Sequence, residues 1–276
     1  MLGNLGEQAG TYVPQIMALL KDQSWEVRAA AARAMGNLGK VAEAAIPEIA
    51  ILLKDESWSV RAAAARALGD MGPVAKTYIP LIAALLKDEN WEARAAAVCA
   101  IGNLGEEATA YIPQIVEHLG DRDAQVRTAA VEALGNMGAG TQSHIAQIMA
   151  MLEDKNWEVR SAAARTLGNL GDLAQPAIPG ITALFYDEDW YVRSSAARAL
   201  GSLGEMALTS LPRLAILLDD QDGNVRSAAT WALGNFGEDA KAYKQKILAL
   251  LEDPHPGVRY AAARALENLG EAGVVP

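Results

Sequence analysis

The chain has 276 residues, and just over half of them are apolar, so it is long enough for one large core or two ordinary ones. Aromatic residues make up only 5%, and alanine supplies much of the apolar fraction, which favours closely packed helices over a bulky β core. The net charge of −10 disfavours binding to nucleic acid or to anionic membranes. The sequence also lacks a transmembrane run and a signal peptide, and its single cysteine, Cys99, fits a cytoplasmic protein.

From its N-terminus onward the chain is built on one repeated motif. After a short stretch, MLGNLG, an arginine recurs every 33 residues, and an aspartate stands six residues before each one. The arginines are Arg28, Arg61, Arg94, Arg127, Arg160, Arg193, Arg226 and Arg259, and the aspartates are Asp22, Asp55, Asp88, Asp121, Asp154, Asp187, Asp220 and Asp253. Eight copies without an insertion or deletion predict a repeat protein.

Each repeat is predicted to hold two helices. The first has apolar residues at helical spacing, as in YVPQIMALL, and a proline near its start in six repeats. Ala146 and Gln245 replace that proline, so these two first helices are expected to enter at a different angle. The second begins after a cap residue four before the arginine, which is Ser, Asn or Asp in seven repeats, and Trp25 and its counterparts then take the first helical position. It is expected to end at the second glycine of motifs such as LGNLG, in a left-handed C-cap.

The pattern LLKDxxxxVRxAAARALGxLG resembles HEAT-like repeats of the short class found in phycobilisome-lyase-type proteins, and the resemblance covers essentially the whole chain. A helical hairpin this small cannot bury its apolar side alone, so the repeats are expected to stack into one continuous core. The expected fold is therefore all-α, a right-handed α-solenoid of eight two-helix HEAT-like repeats. We expect a single domain over residues 1–276, with residues 1–6 as the stub of a preceding repeat.

The resemblance also implies a structural role for the recurring charged residues. In HEAT-like proteins the aspartate and the arginine form a ladder of hydrogen bonds between adjacent repeats. Carried over to this chain, the ladder pairs Asp22 with Arg28, Asp121 with Arg127, Asp253 with Arg259, and the equivalent residues between them. A pair that recurs unchanged in eight repeats suits stacking, since a ligand contact rarely needs eight identical copies.

The variable positions of the second helix are expected to face a partner. Counted from the arginine, positions −3, +1 and +5 lie four residues apart on one side of the helix, with −2 beside them. We call these four positions the second-helix face, which the resemblance places on the concave side. Its candidate partner-binding residues are Trp58, Trp91, Trp157 and Trp190 at −3, Glu92 and Tyr191 at −2, and Arg66, Arg165, Arg198 and Trp231 at +5.

Two interpretations of this face stay open. Tryptophan and arginine dominate binding hot spots, so the row at −3 suits a set of anchors. Alternatively, a tryptophan at a helix start can have a structural role and cover part of the neighbouring helix. The glutamates at −2 can likewise form ion pairs with arginines on a solvated face. Trp231 repeats nothing, which favours a binding role for it. The −2 and +5 positions together sum to +1, so an acidic or mixed-charge peptide would meet less repulsion here than elsewhere.

The sequence contains almost nothing that suggests an enzyme. Its three histidines fall at unrelated repeat positions, and it has no pattern for a metal or a cofactor. We therefore expect a non-enzymatic scaffold that binds a protein or peptide on its concave face, with no cofactor. One alternative is a bilin-lyase-type factor acting on a phycobiliprotein, and another is a binding segment excised or engineered from a longer array.

The N-terminal end is the expected weak point of the array. The first complete helix carries an apolar strip, and only the stub is available to cover it. Terminal repeats normally have a polar outer side. We therefore expect weak self-association through this end, or early fraying of the first repeat.

Overall fold

The computed structural model describes residues 10–270, and this part of the chain is helical throughout, with no strand. It forms two compact units, Met1–Thr141 and Gln142–Pro276. The stub at residues 1–6 and the C-terminal EAGVVP lie outside the described residues. A single domain over 1–276 therefore stays a prediction, and so does the behaviour of the N-terminal end. No helix of the described residues is long and apolar enough to cross a membrane.

Eight helix pairs follow one another along the described chain, which confirms the predicted repeat. In the first unit the helices are α1 (Val13–Leu19), α2 (Trp25–Leu38), α3 (Ile46–Ile51), α4 (Trp58–Asp70), α5 (Ile79–Ala84), α6 (Trp91–Asn103), α7 (Ile112–Glu117) and α8 (Ala124–Asn136). In the second unit they are α9 (Ile145–Ala150), α10 (Trp157–Asn169), α11 (Ile178–Ala183), α12 (Trp190–Leu203), α13 (Leu211–Leu214), α14 (Gly223–Asn235), α15 (Lys244–Ala249) and α16 (Pro256–Asn268). Odd-numbered helices are the first of each repeat and even-numbered helices are the second. Within each unit, each even-numbered helix packs against the next one.

The second helices begin where the sequence predicts, but only α2 and α12 have the second glycine as their C-cap, and the other six end two residues before it. Trp25 and its counterparts take the first helical position, and the second glycine of each LGNLG-type motif has a positive φ, for example 56° at Gly105. The predicted side-chain caps form at only some of these helices, among them those that follow Asn90 and Asn156. Ser57 makes no such cap, so the prediction of a general side-chain cap is wrong.

The first helices are shorter than the apolar pattern predicts. A 3₁₀ segment such as Gly39–Ala45 leads into a short α-helix, and a second 3₁₀ turn, Leu52–Lys54, follows it. Proline lacks the N–H that would continue an α-helical ladder. However, α9 and α15 begin at the same repeat position without a proline, so packing fixes the break. In both, a buried isoleucine, Ile148 or Ile247, anchors the segment. Their boundaries give no sign of the different entry that we expected.

The first glycine of the LGNLG-type motif marks a close approach between second helices in six repeats. A Cβ added to Gly102 would lie 2.6 Å from the Cα of Ala133 on the next second helix, and one added to Gly201 would lie 2.7 Å from the Cα of Ala232. Neither distance leaves room for a side chain. These glycines therefore let neighbouring helices pack backbone to backbone, a role that the sequence analysis missed.

Candidate functional site

The recurring arginine and aspartate form a ladder inside each unit. Six of the arginines each donate two hydrogen bonds to the aspartate of the following repeat, as Arg28 does through Nε (2.7 Å) and Nη2 (3.0 Å) to Asp55. The other bidentate pairs are Arg61–Asp88, Arg94–Asp121, Arg160–Asp187, Arg193–Asp220 and Arg226–Asp253. Two parallel N–H···O bonds fix both distance and orientation, so each pair sets the register between adjacent repeats.

The pairing inside one repeat that the resemblance implied is wrong at the level of the side chains. Arg28 reaches the backbone carbonyl of Asp22 (2.8 Å) and takes its carboxylate partner from Asp55. The carboxylate of Asp22 accepts instead from the N–H of Ser24 (2.8 Å), at the start of α2. Arg127 and Arg259 likewise donate to the carbonyls of Asp121 (3.0 Å) and Asp253 (2.8 Å). The aspartate therefore orders the turn before its own helix and receives the arginine of the preceding repeat.

The ladder is mostly buried, and burial affects the aspartates. Desolvation alone raises the pKa of the Asp220 carboxyl. The hydrogen bonds from Arg193 and from the N–H of Asp222, with the nearby charges of Arg193 and Arg226, outweigh this effect, so the pKa of Asp220 lies below its usual value. The pKa is also lowered for Asp55, Asp88, Asp121 and Asp253.

These lowered pKa values predict acid sensitivity with a definite sign. A carboxyl whose folded pKa lies below its unfolded value of about 3.9 contributes stability above that pH, and the contribution is lost as pH falls through the folded pKa. We expect the melting temperature to vary little between about pH 8 and 5 and to fall steeply below about pH 4. Burial raises the pKa of Asp70, which works in the opposite direction at a single residue. Thermal melts from pH 2.5 to 8 check this, and a melting temperature that stays level down to pH 3 would contradict it.

The tryptophans at −3 are partly covered and partly exposed. Trp25, Trp58, Trp91, Trp157 and Trp190 keep between 36% and 45% of their surface accessible. More than half of each side chain is therefore packed, and the remainder faces solvent. The two interpretations of this row are compatible, because each ring covers part of its surroundings and still presents a surface.

Three aromatic side chains meet at the start of α12. Tyr191 lies edge-on to Trp157, with ring centroids 5.6 Å apart, and edge-on to Trp190, with centroids 5.5 Å apart. The N–H of Tyr191 also donates to Asp189 (2.7 Å), which fixes the backbone there. Edge-to-face contacts of this kind stabilise the rings in place. The three rings form an ordered aromatic shelf on the second unit.

Trp231 and Arg198 form the second cluster of this face. The Cζ of Arg198 lies 5.8 Å from the ring centroid of Trp231, a cation–π distance. Both side chains are exposed, and Arg198 has no carboxylate partner among the described residues. Trp231 is the only tryptophan at +5, and the neighbouring +5 residues on either side of it, Arg198 and Arg264, are both arginines. Arg165, also at +5, is directed to the hydroxyl of Ser161 (3.4 Å).

The candidate residues of the first unit form a looser set. Trp58 and Arg66 lie on α4, and Trp91 and Glu92 lie on the neighbouring α6. Trp58 and Trp91 have no aromatic ring contact within the described residues. The N–H of Glu92 donates to Asn90 (2.8 Å) as part of the helix cap. The structure therefore brings the predicted residues of the second unit together and leaves those of the first unit apart.

The structure also shows exposed apolar residues that the sequence analysis did not select. Tyr260, at +1 on α16, is 69% exposed on the second-helix face. On the first helices, Ile51 and Leu81 are exposed, and together with Tyr78 of the preceding 3₁₀ segment they line an open groove of ≈ 710 Å³. Tyr186, at the end of a first-helix segment, is 72% exposed. The only signal in the sequence was a large apolar residue where most repeats have a small or polar one.

Cys99 and His118 have surroundings that suit packing. Cys99 lies at +5 on α6, and burial first and the carboxylate of Glu132 second raise the pKa of its thiol, which disfavours the reactive thiolate. The two ring nitrogens of His118 lie 2.8 Å from the carbonyl oxygens of Gln114 and Leu86, so the ring joins neighbouring repeats. No group of three metal-ligating side chains occurs in the part of the chain that the structure describes.

Sequence comparison assigns the family. The family described as HEAT repeats matches residues 46–112, 112–201 and 210–276, which is more than half of the chain. Residues 13–42 match the HEAT repeat description, and residues 192–220 match the PBS lyase HEAT-like repeat. The chain belongs to the HEAT repeat family, which confirms the resemblance. No curated protein matches the sequence significantly.

Solved structures with the same fold include one bacterial protein and two nuclear-import complexes. The Escherichia coli protein YibA superposes with a TM-score of 0.66 at 19% identity, covering 98% of this chain and 96% of that one. Kap95 bound to RanGDP gives a TM-score of 0.62 at 17% identity over 94% of this chain, and Kap95 bound to Nup1 gives 0.63 at 17% over 97%. This chain spans only 40% and 41% of those two Kap95 chains. At these identities the likeness shows the fold alone.

Proposed function

We propose that this chain is a non-enzymatic scaffold that binds a protein or peptide across its second-helix face. The observation that carries the proposal is the contact between Arg198 and Trp231. Residues that serve stacking recur in every repeat, whereas Trp231 breaks its row and is exposed. A large apolar side chain that does not recur at its repeat position, is 37% exposed and lies beside an arginine has the character of a binding hot spot.

Two further observations support the proposal. The aromatic shelf of Trp157, Tyr191 and Trp190 lies on the same side of the second unit and is ordered by ring contacts. An ordered side chain loses less entropy on binding than a mobile one. Among proteins with the same fold, Kap95 has been solved in complexes with the proteins RanGDP and Nup1, which shows that a HEAT repeat chain can bind other proteins.

The proposal can be tested with peptides selected from a random library on the whole chain. We expect Trp231→Ala and Arg198→Ala each to weaken the selected peptides by about 1–3 kcal/mol, roughly 5- to 150-fold, because hot-spot residues dominate binding. Arg198 is exposed and Trp231 keeps 37% of its surface accessible, so both variants should remain folded at 25 °C. Calorimetric titration gives the affinities, and circular dichroism gives the melts.

Lys241 provides a matched control on the first-helix side of a repeat. It is exposed and pairs with Glu238 on the surface, as a solvated side chain outside the second-helix face. Lys241→Ala should leave the affinity unchanged. Equal losses for Lys241→Ala and Trp231→Ala, or a loss with Lys241→Ala alone, would contradict the proposed face.

The bilin-lyase alternative rests on the resemblance of the repeat. The PBS lyase HEAT-like description matches residues 192–220 alone, whereas the general HEAT descriptions match most of the chain. A change in bilin absorbance when the pigment is mixed with the chain would favour this alternative over a peptide-binding scaffold.

A further inference from the structure

The second unit carries the positive charge of the second-helix face. At positions −2 and +5 it has three arginines and one glutamate, and the first unit has two arginines and three glutamates. The residues in the second unit are Arg165, Arg198, Arg264 and Glu158, and those in the first are Arg33, Arg66, Glu26, Glu92 and Glu132. The whole chain has a net charge of −10, so this is a local reversal of sign. A ligand with negative charge is attracted to this part of the surface and repelled by most of the rest.

The charges and the rings lie at opposite edges of the face. The arginines are at +5, and the aromatic shelf of Trp157, Tyr191 and Trp190 lies at −3 and −2. The aspartates near the shelf are occupied with backbone N–H groups, as Asp189 is with Tyr191 and Asp222 is with Asn224 (2.7 Å each). Between the edges lie the small residues Ser161, Ser194 and Ser227. A ligand that lies on the second-helix face of this unit therefore meets cations along one side and apolar surface along the other.

Arg198 is suited to bind a carboxylate. One side of its guanidinium faces the ring of Trp231, and the N–H groups at its edge remain available as donors. Planar guanidinium groups bind carboxylates with two parallel hydrogen bonds, as the buried ladder arginines do in this chain. Arg264 lies two second helices further on and has only a distant partner, Glu267 at 3.8 Å.

We propose that the partner is an acidic, proline-rich segment that lies across α12, α14 and α16 in the polyproline II conformation. This inference rests on the proposed binding face and specifies what binds there. Packed helices lie about 8–10 Å apart. Polyproline II has three residues per turn and rises about 3.1 Å per residue, so every third side chain points the same way about 9 Å further along. A ligand with this period meets one second helix per turn.

The register follows from the residues at +5. An acidic residue at position i of the ligand pairs with Arg198, an apolar residue at i+3 lies on Trp231, and a second acidic residue at i+6 pairs with Arg264. Tyr260, exposed on α16, adds apolar surface for the prolines between them. Aromatic-lined grooves suit polyproline II because the ligand is already extended before it binds.

The test uses fluorescein-labelled peptides and the whole chain. The probe is EPPLPPEPP, and its comparators are the neutral QPPLPPQPP and the composition-matched EEPPPLPPP, in which the three-residue period is lost. We expect fluorescence polarisation to show binding of EPPLPPEPP that is at least tenfold tighter than that of either comparator. The affinity should fall as salt is raised from about 50 to 500 mM, because exposed charges are screened.

Matched variants identify the site. Arg198→Ala should weaken EPPLPPEPP at least tenfold, and Arg198→Lys should weaken it less, because the charge remains but the planar fork is lost. Arg33→Ala, at the same repeat position in the first unit and likewise exposed, should change the affinity less than twofold. Trp231→Arg introduces the arginine that five of the other repeats have and adds a positive charge, yet it should weaken binding because the apolar contact is lost.

Any of the following results would overturn the inference. Tighter binding of EPPLPPEPP by Trp231→Arg would mean that charge alone attracts the ligand. Equal losses for Arg198→Ala and Arg33→Ala would show that the peptide has no preferred site, and displacement of the peptide by single-stranded DNA of similar length would indicate a nucleic-acid surface. If library-selected peptides bind the second-helix face while EPPLPPEPP does not, this inference fails and the proposed function stands. If no peptide of either kind binds that face, both fail.

Discussion

Asp220→Ala is expected to destabilise the second unit by about 3–5 kcal/mol, because it leaves a buried guanidinium without its carboxylate. Arg193 is 7% exposed and donates to both oxygens of Asp220, at 2.8 and 2.9 Å. The substitution also removes the bond from the N–H of Asp222 to the carboxylate, which orders the start of α14. Urea unfolding, followed by circular dichroism, measures the change in the free energy of unfolding.

The adjacent aspartate is the control for this variant. Asp219 pairs with Lys246 at the surface, where both side chains are largely exposed, so Asp219→Ala should cost less than about 1 kcal/mol. Asp121→Ala should fall between the two, because its partner Arg94 keeps Asp123 at 2.7 Å. Equal unfolding free energies for the Asp219 and Asp220 variants would show that the ladder does not hold the repeats in register.

Gly102→Ala is expected to destabilise the first unit by about 1–3 kcal/mol, because there is no room for its methyl group. The added Cβ would lie 2.6 Å from both the Cα and the Cβ of Ala133, and the backbone of α8 would have to move. Gly120 offers the opposite case, with nothing within 4 Å and no positive φ. Gly120→Ala should therefore be neutral or slightly stabilising, since alanine restricts the unfolded chain. Urea midpoints compare the two variants, and a stable Gly102→Ala would contradict the close approach of α6 and α8.

The spacing of the ladder residues predicted their structural role but not which aspartate pairs with which arginine. The 33-residue period revealed that Asp and Arg were structural partners of some kind. It left their pairing undetermined, because the aspartate six residues before each arginine and the aspartate 27 residues after it recur equally well. Only the packing of successive second helices places Arg28 beside Asp55. The role of the first glycine of the LGNLG-type motif was not predicted for a similar reason. The atoms that exclude a side chain at Gly102 belong to Ala133 of the next repeat.

The arrangement of the second-helix face was also predicted only in part. The repeat register places Trp157 and Trp190 at −3 and Tyr191 at −2, and in the structure the ring of Tyr191 contacts both tryptophans. Their edge-on contacts and the stacking of Arg198 on Trp231 depend on side-chain rotamers, which periodicity does not determine. The broken first helices were missed because an apolar 3.6-residue pattern does not distinguish one helix from a short helix between two 3₁₀ segments.

Hydroxyl-radical footprinting of aromatic side chains most directly tests the claim that this chain binds its partner across the second-helix face. The whole chain would be oxidised alone and when saturated with a library-selected peptide, and the modified residues identified by mass spectrometry. We expect oxidation of Trp231 and Tyr191 to fall several-fold, while Tyr186, 72% exposed on the first-helix side, is oxidised at an unchanged rate. Protection of Tyr186 with Trp231 and Tyr191 unchanged would place the partner on the first helices and contradict the account.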